Sequence, residues 1–244
     1  MTIEAMVISA GQPQLDRCLA SVQNQTVPFD SVVHIENVVP NSKAFNRGIS
    51  ESTSDWIFHI GGDFVLFPNA VEIATKYVNQ ENNDILCGYF FGLKDTFLQC
   101  DLGWAGVYRR SAWKDEPLRD TKWDDRGIPN RLRSKGWRFK KLLHKGIFLA
   151  THFDNPTAFQ VFGRFYFHGC KFHDNSSVRN MMTDLFMRTG LPLYAIGLKA
   201  IDFAKTHNTY PGSPNMDYNK KMYEEFKEEM CKFPSLLPSL TATK

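Results

Sequence analysis

The sequence predicts an α/β fold built on a doubly wound, mostly parallel sheet. Two observations carry this expectation. Short apolar runs rich in Val and Ile alternate with segments whose apolar residues recur at helical spacing. The runs also end in small or turn-forming residues, Ser9-Ala10-Gly11 after the first and Gly61-Gly62-Asp63 after the third.

Residues 3–8 form the first apolar run. Leu15, Cys18, Leu19 and Val22 then follow a helical period, which Thr26-Val27-Pro28 ends. Residues 31–38 predict a second strand, 42–50 a second helix and 56–60 a buried strand. Pro68 opens a third helix through Tyr77, and residues 85–91 predict a further strand. In such sheets ligands bind outside the carboxyl ends of the strands, so loops 9–12, 36–43 and 61–63 are the candidate binding loops. That placement points to a nucleotide-like ligand.

Residues 100–153 are less regular and hold four of the five tryptophans, Trp104, Trp113, Trp123 and Trp137. From Ser176 the pattern is helical, broken at Gly190-Leu191-Pro192 and at Tyr210-Pro211-Gly212-Ser213-Pro214. There is no internal repeat. A composition of 43% hydrophobic and 23% charged residues excludes wholesale disorder, and a net charge of +3 names no partner. Five scattered cysteines without a CxxC pair fit the reduced thiols of a cytoplasmic protein. Residues 1–10 lack the pattern of a cleaved secretory signal, and no apolar run is long enough to span a bilayer. Residues 190–204 predict an amphipathic helix packed on its own domain, with peripheral membrane attachment the minor alternative.

Three ordered segments resemble the family-2 glycosyltransferases. Leu15-Asp16-Arg17-Cys18-Leu19-Ala20-Ser21-Val22-Gln23-Asn24-Gln25-Thr26 matches that family's L-x-x-C-L-x-S-V-x-x-Q-T helix. Ala44-Phe45-Asn46-Arg47-Gly48-Ile49 follows its A-R-N-x-G-I segment, and Gly61-Gly62-Asp63-Phe64-Val65-Leu66-Phe67-Pro68 its D-x-D-D-x-L-x-P segment. Two positions depart from the pattern: Phe45 replaces the arginine, and Gly61 the first carboxylate. The resemblance implies a GT-A, Rossmann-like domain over residues 1–155, with a nucleotide-sugar half (1–100) and an acceptor half (101–155). Residues 156–244 would then be a mostly helical extension.

The resemblance further implies transfer from a nucleotide-diphosphate sugar to an acceptor hydroxyl, with inversion and with Mn2+ or Mg2+. Asp63 falls on the metal-binding carboxylate and His152 near a further metal ligand. Ser9, Ala10, Glu36, Asn46, Gly62 and Asp63 are the implied donor contacts. Asp124-Asp125 opens a segment similar to the family's E-D-x-x-L-x-x-R-L. Asp125 is the expected general base, with Asp124 binding the acceptor or orienting the loop. Trp104 and Trp123 are the acceptor contacts expected from flat aromatic surface. The acceptor would be a glycan or a lipid-linked sugar. DNA is an alternative, because residues 126–145 carry eight Lys or Arg and no acid. Gly61 raises another alternative, a non-catalytic nucleotide-sugar-binding protein on a degenerate transferase fold. His168, Cys170 and His173 are read as part of a packed aromatic segment, since a zinc site would need a fourth ligand.

Overall fold

The computed structural model describes residues 1–80, 84–120, 124–153, 155–172, 175–207 and 216–232. The chain divides into two compact units, Met1–Asp154 and Asn155–Lys244.

The first unit is built on one sheet whose strands are β1 (Ile3–Ser9), β2 (Ser31–Glu36), β3 (Trp56–Gly61), β4 (Phe64–Leu66), β5 (Leu86–Asp95), β6 (Cys100–Arg109), β7 (Arg138–Lys141) and β8 (Phe148–His152). Their order is β2-β1-β3-β6-β5-β8-β4, with β7 also paired to β5. Helices α1 (Leu15–Gln23), α2 (Asn41–Glu51), α3 (Ala70–Asn79), α4 (Arg110–Asp115) and α5 (Asp124–Ser134) connect the strands.

The sheet is mixed, with four parallel strand pairings and three antiparallel ones. β1 runs parallel to β2 and β3, and β5 to β7 and β8, whereas β3–β6, β5–β6 and β4–β8 are antiparallel. The link between β5 and β6 is too short for a crossover, which needs a dozen or more residues, so these two strands form a hairpin. The divide drawn at residue 100 therefore falls inside one continuous sheet.

The sheet must also curl. Four strand steps separate β3 from β4, which would span about 19 Å if flat. Yet Gly62 and Asp63 alone join them, and a link of that length reaches only about 10 Å.

Alternation along each strand sends side chains to two cores. Ile3, Ala5 and Val7 of β1, Trp56, Phe58 and Ile60 of β3, and Tyr89, Phe91 and Leu93 of β5 share one. Met6, Ile8, Ile57, Phe90 and Tyr108 face the other, together with Phe45 of α2, Trp113 of α4 and Ile128 of α5.

The residues of the first resembling segment have a visible structural task. Ser21 Oγ donates to the Cys18 carbonyl and accepts from Leu66 N at 3.0 Å. The Gln25 side chain donates to the carbonyls of Ser21 and Phe67 and accepts from Val71 N. α1 is thereby stapled to β4 and to the start of α3, which holds the intervening turn at Asp63 in place.

In the second unit, α6 (Ala158–Lys171) opens with a reciprocal capping box of Thr157 and Gln160. α7 (Ser176–Thr189) ends at Gly190, whose φ of 66° makes the left-handed stop that glycine favours. α8 (Pro192–His207) and α9 (Met216–Met230) complete the unit. Phe162, Tyr166, Phe203 and Phe226 form its aromatic centre. α8 buries Tyr194, Ile196, Ile201 and Phe203. Among the described residues, no helix is long and apolar enough to cross a membrane. Within the expected aromatic segment, His168 Nδ1 lies 2.6 Å from Asn175 Oδ1, while His173 lies outside the described residues.

Candidate active site

Topology brings together three side chains that are far apart in sequence. Phe64 of β4 pairs with His152 of β8, and His152 in turn pairs with Asp95 of β5. The residue before Phe64 is Asp63, so Asp63, His152 and Asp95 converge at the ends of three adjoining strands. His152 Nδ1 lies 3.0 Å from Asp95 Oδ2, and its Nε2 lies 3.3 Å from Asp63 Oδ2. The Asp95 side chain is fully buried, against 17% exposure for His152 and 21% for Asp63. Its other oxygen accepts from Leu98 N at 2.6 Å, so both oxygens are held.

This arrangement sets the tautomer. The Asp95 carboxylate accepts a hydrogen bond from Nδ1–H, which turns Nε2 toward Asp63. The ring thus stands between two carboxylates: as a cation it bonds both, and as a neutral ring with Nδ1–H toward Asp95 it offers its Nε2 lone pair on the Asp63 side. His152 is held from behind as well. Phe153 N donates to the Asp63 carbonyl, and buried Phe153 adopts φ 58°, a conformation uncommon outside glycine. Among the described residues, no group of three or more His, Cys, Asp or Glu side chains is placed to hold a metal ion. Asp63 and His152 form an open pair.

Sheet order also gathers the candidate binding loops. Ser9 and Glu36 are register partners at the ends of β1 and β2, and β3 ends beside them at Gly61. Ala10 N donates to Gln12 Oε1, and Ser9 Oγ lies 2.8 Å from His34 Nε2. A Cβ on Gly62 would fall 2.8 Å from Gln12 Oε1 and 2.9 Å from Ser9 Cβ. Glycine is required there for the Asp63 turn to lie against the loop at residues 9–12. Glu36 is exposed. Asn46 is engaged differently from a donor contact: its amide donates to the Leu118 carbonyl at 2.8 Å and accepts from Leu118 N at 2.9 Å. It clamps the segment leading to α5.

Asp124 and Asp125 open α5, and Trp104 sits in β6. Their side chains, and Trp123 altogether, lie outside the described residues.

A cavity of about 250 Å³ adjoins the Asp63 turn, walled by Phe45, His59, Phe64, Phe90, Tyr108 and Trp113 and closed by Asn41, Leu118, Ile128 and Pro129. Burial pushes His59 down from 6.5 to about 4, against the opposing pull of Asp63. Below 6.5 the unfolded chain therefore binds a proton that the native protein refuses. Stability is fully present above pH 6.5 and is lost as the pH falls toward 4. His59→Phe is expected to flatten this dependence by about 2 kcal/mol in urea titrations compared at neutral pH and near pH 4.5. Identical pH slopes in the two proteins would rule the effect out.

Residues 31–146 match the family model for glycosyl transferase family 2. That match covers just under half of the chain and makes it similar to the family-2 glycosyltransferases. The transferase is also similar to the mannosyltransferase PcManGT from Pyrobaculum calidifontis in complex with GDP-Man and Mn2+. The TM-score is 0.51 at 9% identity, covering 98% of this chain and 84% of that one. Another similar structure is S. aureus TarS 1–349 in complex with UDP-GlcNAc, with a TM-score of 0.47 at 11% identity, covering 94% and 92%. No curated protein matches the sequence significantly. The fold is of GT-A type, and the protein is a glycosyltransferase.

The two departures from the family pattern now have physical accounts. A Cβ at Gly61 would sit 2.9 Å from Asp63 Oδ1 and 3.1 Å from the Phe64 ring, so no first carboxylate fits without displacing Asp63. Phe45 stacks tilted on Trp113, with centroids 5.0 Å apart, and is part of the cavity wall. Sequence reasoning missed Asp95 and His59. The only local trace of Asp95 is a lone acid closing the apolar β5, and its partner is defined by register alone.

Proposed function

We propose that this glycosyltransferase moves a sugar from a nucleotide-diphosphate sugar to an acceptor hydroxyl, with inversion and with Mn2+ or Mg2+ as cofactor. The reading is carried by the Asp63–His152 pair at the strand ends, oriented by Asp95. One carboxylate oxygen and one imidazole nitrogen, with a carboxylate behind the ring, fit a divalent ion that keeps positions open for diphosphate oxygens and water. When bound, such an ion neutralises charge gathering on the departing diphosphate.

The chain's own residues do the remaining work in this reading. Gly62 and the loop holding Ser9 and Ala10 let the donor approach backbone closely, while Glu36 meets its ribose or base. Asp125 accepts the acceptor's hydroxyl proton as that oxygen attacks the anomeric carbon. The bond from this carbon to the diphosphate oxygen breaks, and its electron pair leaves with the nucleoside diphosphate. Asp124 and Asp125 stand in the first turn of α5, where a helix favours negative charge. Asn46 positions the approach to that helix, and Trp104 and Trp123 contribute acceptor surface.

A glycan or lipid-linked sugar is favoured over DNA as acceptor. Within the basic stretch, Arg131 and Lys135 are bound to Glu116, Lys135 also meets Asp115, and Arg133 donates to Asn130. Arg131 and Lys135, already paired with acids within the chain, contribute less to phosphate binding.

The test is thermal unfolding with nucleoside diphosphates and their sugars, each with Mn2+ and with chelator. The mannosyltransferase complex makes GDP-mannose the first donor to try. One nucleotide family is expected to raise the melting temperature only with metal, by about 2.7 kcal/mol of stabilisation at a hundred times Kd. No shift with any nucleotide at saturation would overturn the reading.

A further inference from the structure

We infer that the aromatic cavity beside Asp63 is an acceptor subsite, and that it takes a planar aromatic ring carrying one or two hydrogen-bonding atoms, a phenol-like group. The inference rests on the transferase reading and adds the substrate class.

Size is the first constraint. The cavity measures about 250 Å³. An apolar cavity of about 150 Å³ already accepts benzene, so one substituted ring fits here. The walls are the second constraint. Phe45, Tyr108 and Trp113 lie within 4.5–6.0 Å of one another by ring centroids, in edge and tilted geometries. Such walls gain most from another aromatic ring. A hexose would bury several hydroxyls against them, each needing a partner that ring carbon does not provide.

Polar atoms supply the third constraint. The indole N–H of Trp113 is buried without a hydrogen-bond partner, on a residue only 5% exposed. His59 makes ring contacts with Phe45 and Tyr108 but no hydrogen bond among the described residues. Buried polar groups in native proteins are nearly always satisfied, so the Trp113 N–H, with the half-buried His59 ring on the same cavity, asks for a ligand with a matching atom.

Placement ties the cavity to the reaction. Phe64, one of its walls, follows Asp63 directly and meets the His152 ring edge-on at 5.4 Å. On the other side, Ile128 and Pro129 belong to α5, the helix that begins with Asp124 and Asp125. A ring seated here lies between the residues proposed to hold the ion and the helix proposed to carry the base.

The test is a fluorine NMR titration of the full chain with 4-fluorophenol, with methyl glucoside as a hydroxyl-rich competitor. Saturable binding is expected, with movement of the His59 imidazole resonances and no competition by methyl glucoside. Leu118→Phe fills the cavity from a position whose backbone Asn46 holds, so the segment keeps its place. It is expected to weaken 4-fluorophenol binding by about tenfold or more. Absence of saturable binding, binding that leaves His59 unmoved, undiminished binding in Leu118→Phe, or effective competition by methyl glucoside would each overturn the inference. Nucleotide-dependent melting is read separately. Nucleotide binding without phenol binding sinks the cavity assignment alone; phenol binding without nucleotide binding sinks the transferase reading, and the acceptor role with it, and leaves a ring-binding cavity.

Discussion

Asp63→Ala is expected to lower sugar transfer by about a hundredfold to a thousandfold, the loss typical when a charge-stabilising group is removed from a site. Initial rates with a matched donor would show this, together with loss of the metal-dependent melting shift. The substitution leaves buried Asp95 and its contacts with His152 and Leu98 in place, so the fold is expected to persist. Asp95→Asn separates orientation from contact. Without a carboxylate at Nδ1 the ring loses the partner that sets its tautomer, and Mn2+ affinity is expected to fall by about tenfold to a hundredfold. Titration followed by electron paramagnetic resonance would measure that loss, with activity largely recovered at high Mn2+. Undiminished turnover in Asp63→Ala would remove the proposed role of the pair.

The largest expected effect on stability comes from Trp56→Ala. Trp56 is fully buried in β3, with Tyr89 at 5.9 Å between ring centroids and the Arg109 guanidinium 5.0 Å from its ring. Truncation leaves a cavity in the core shared by β1, β3 and β5, at a cost of about 3–5 kcal/mol. For a chain of this size that corresponds to a fall in Tm of roughly 10 °C. Calorimetry should show it, and a fall of only a degree or two would mean that the core closes over the gap.

Much of the first hundred residues was legible because local pattern and final structure agree there. β1 to β3 and α1 to α3 lie within a few residues of their expected bounds. β6 was not legible: Asp101, Gly103 and Gly106 interrupt its apolar run, and it is held by antiparallel pairing to both β3 and β5. Long-range pairing, which leaves no periodic trace, also made the sheet mixed. The site divides in the same way. Asp63 and His152 could be named from ordered motifs, and the structure sets them beside each other. Asp95 could not, because its importance comes from lying opposite His152 across a strand pair. Asn46 matched its motif yet uses its amide to hold Leu118, a contact 72 residues away that no spacing rule reveals.

The curled sheet has a consequence for how the protein comes into being. β4 is only three residues long, and its partner β8 lies far downstream, with Val65 paired to Thr151 across 86 residues. During synthesis β4 leaves the ribosome long before the strand that completes it. Until then Ser21 and Gln25, from the segment already made, hold β4 and the residue after it. Closure of such a distant pair is slow, because the loop must be ordered before its contacts can reward it. The end of the first unit that holds Asp63 and His152 is therefore expected to assemble late, and a chain stopped before residue 148 would keep the ends of β1 to β3 but have no imidazole opposite Asp63.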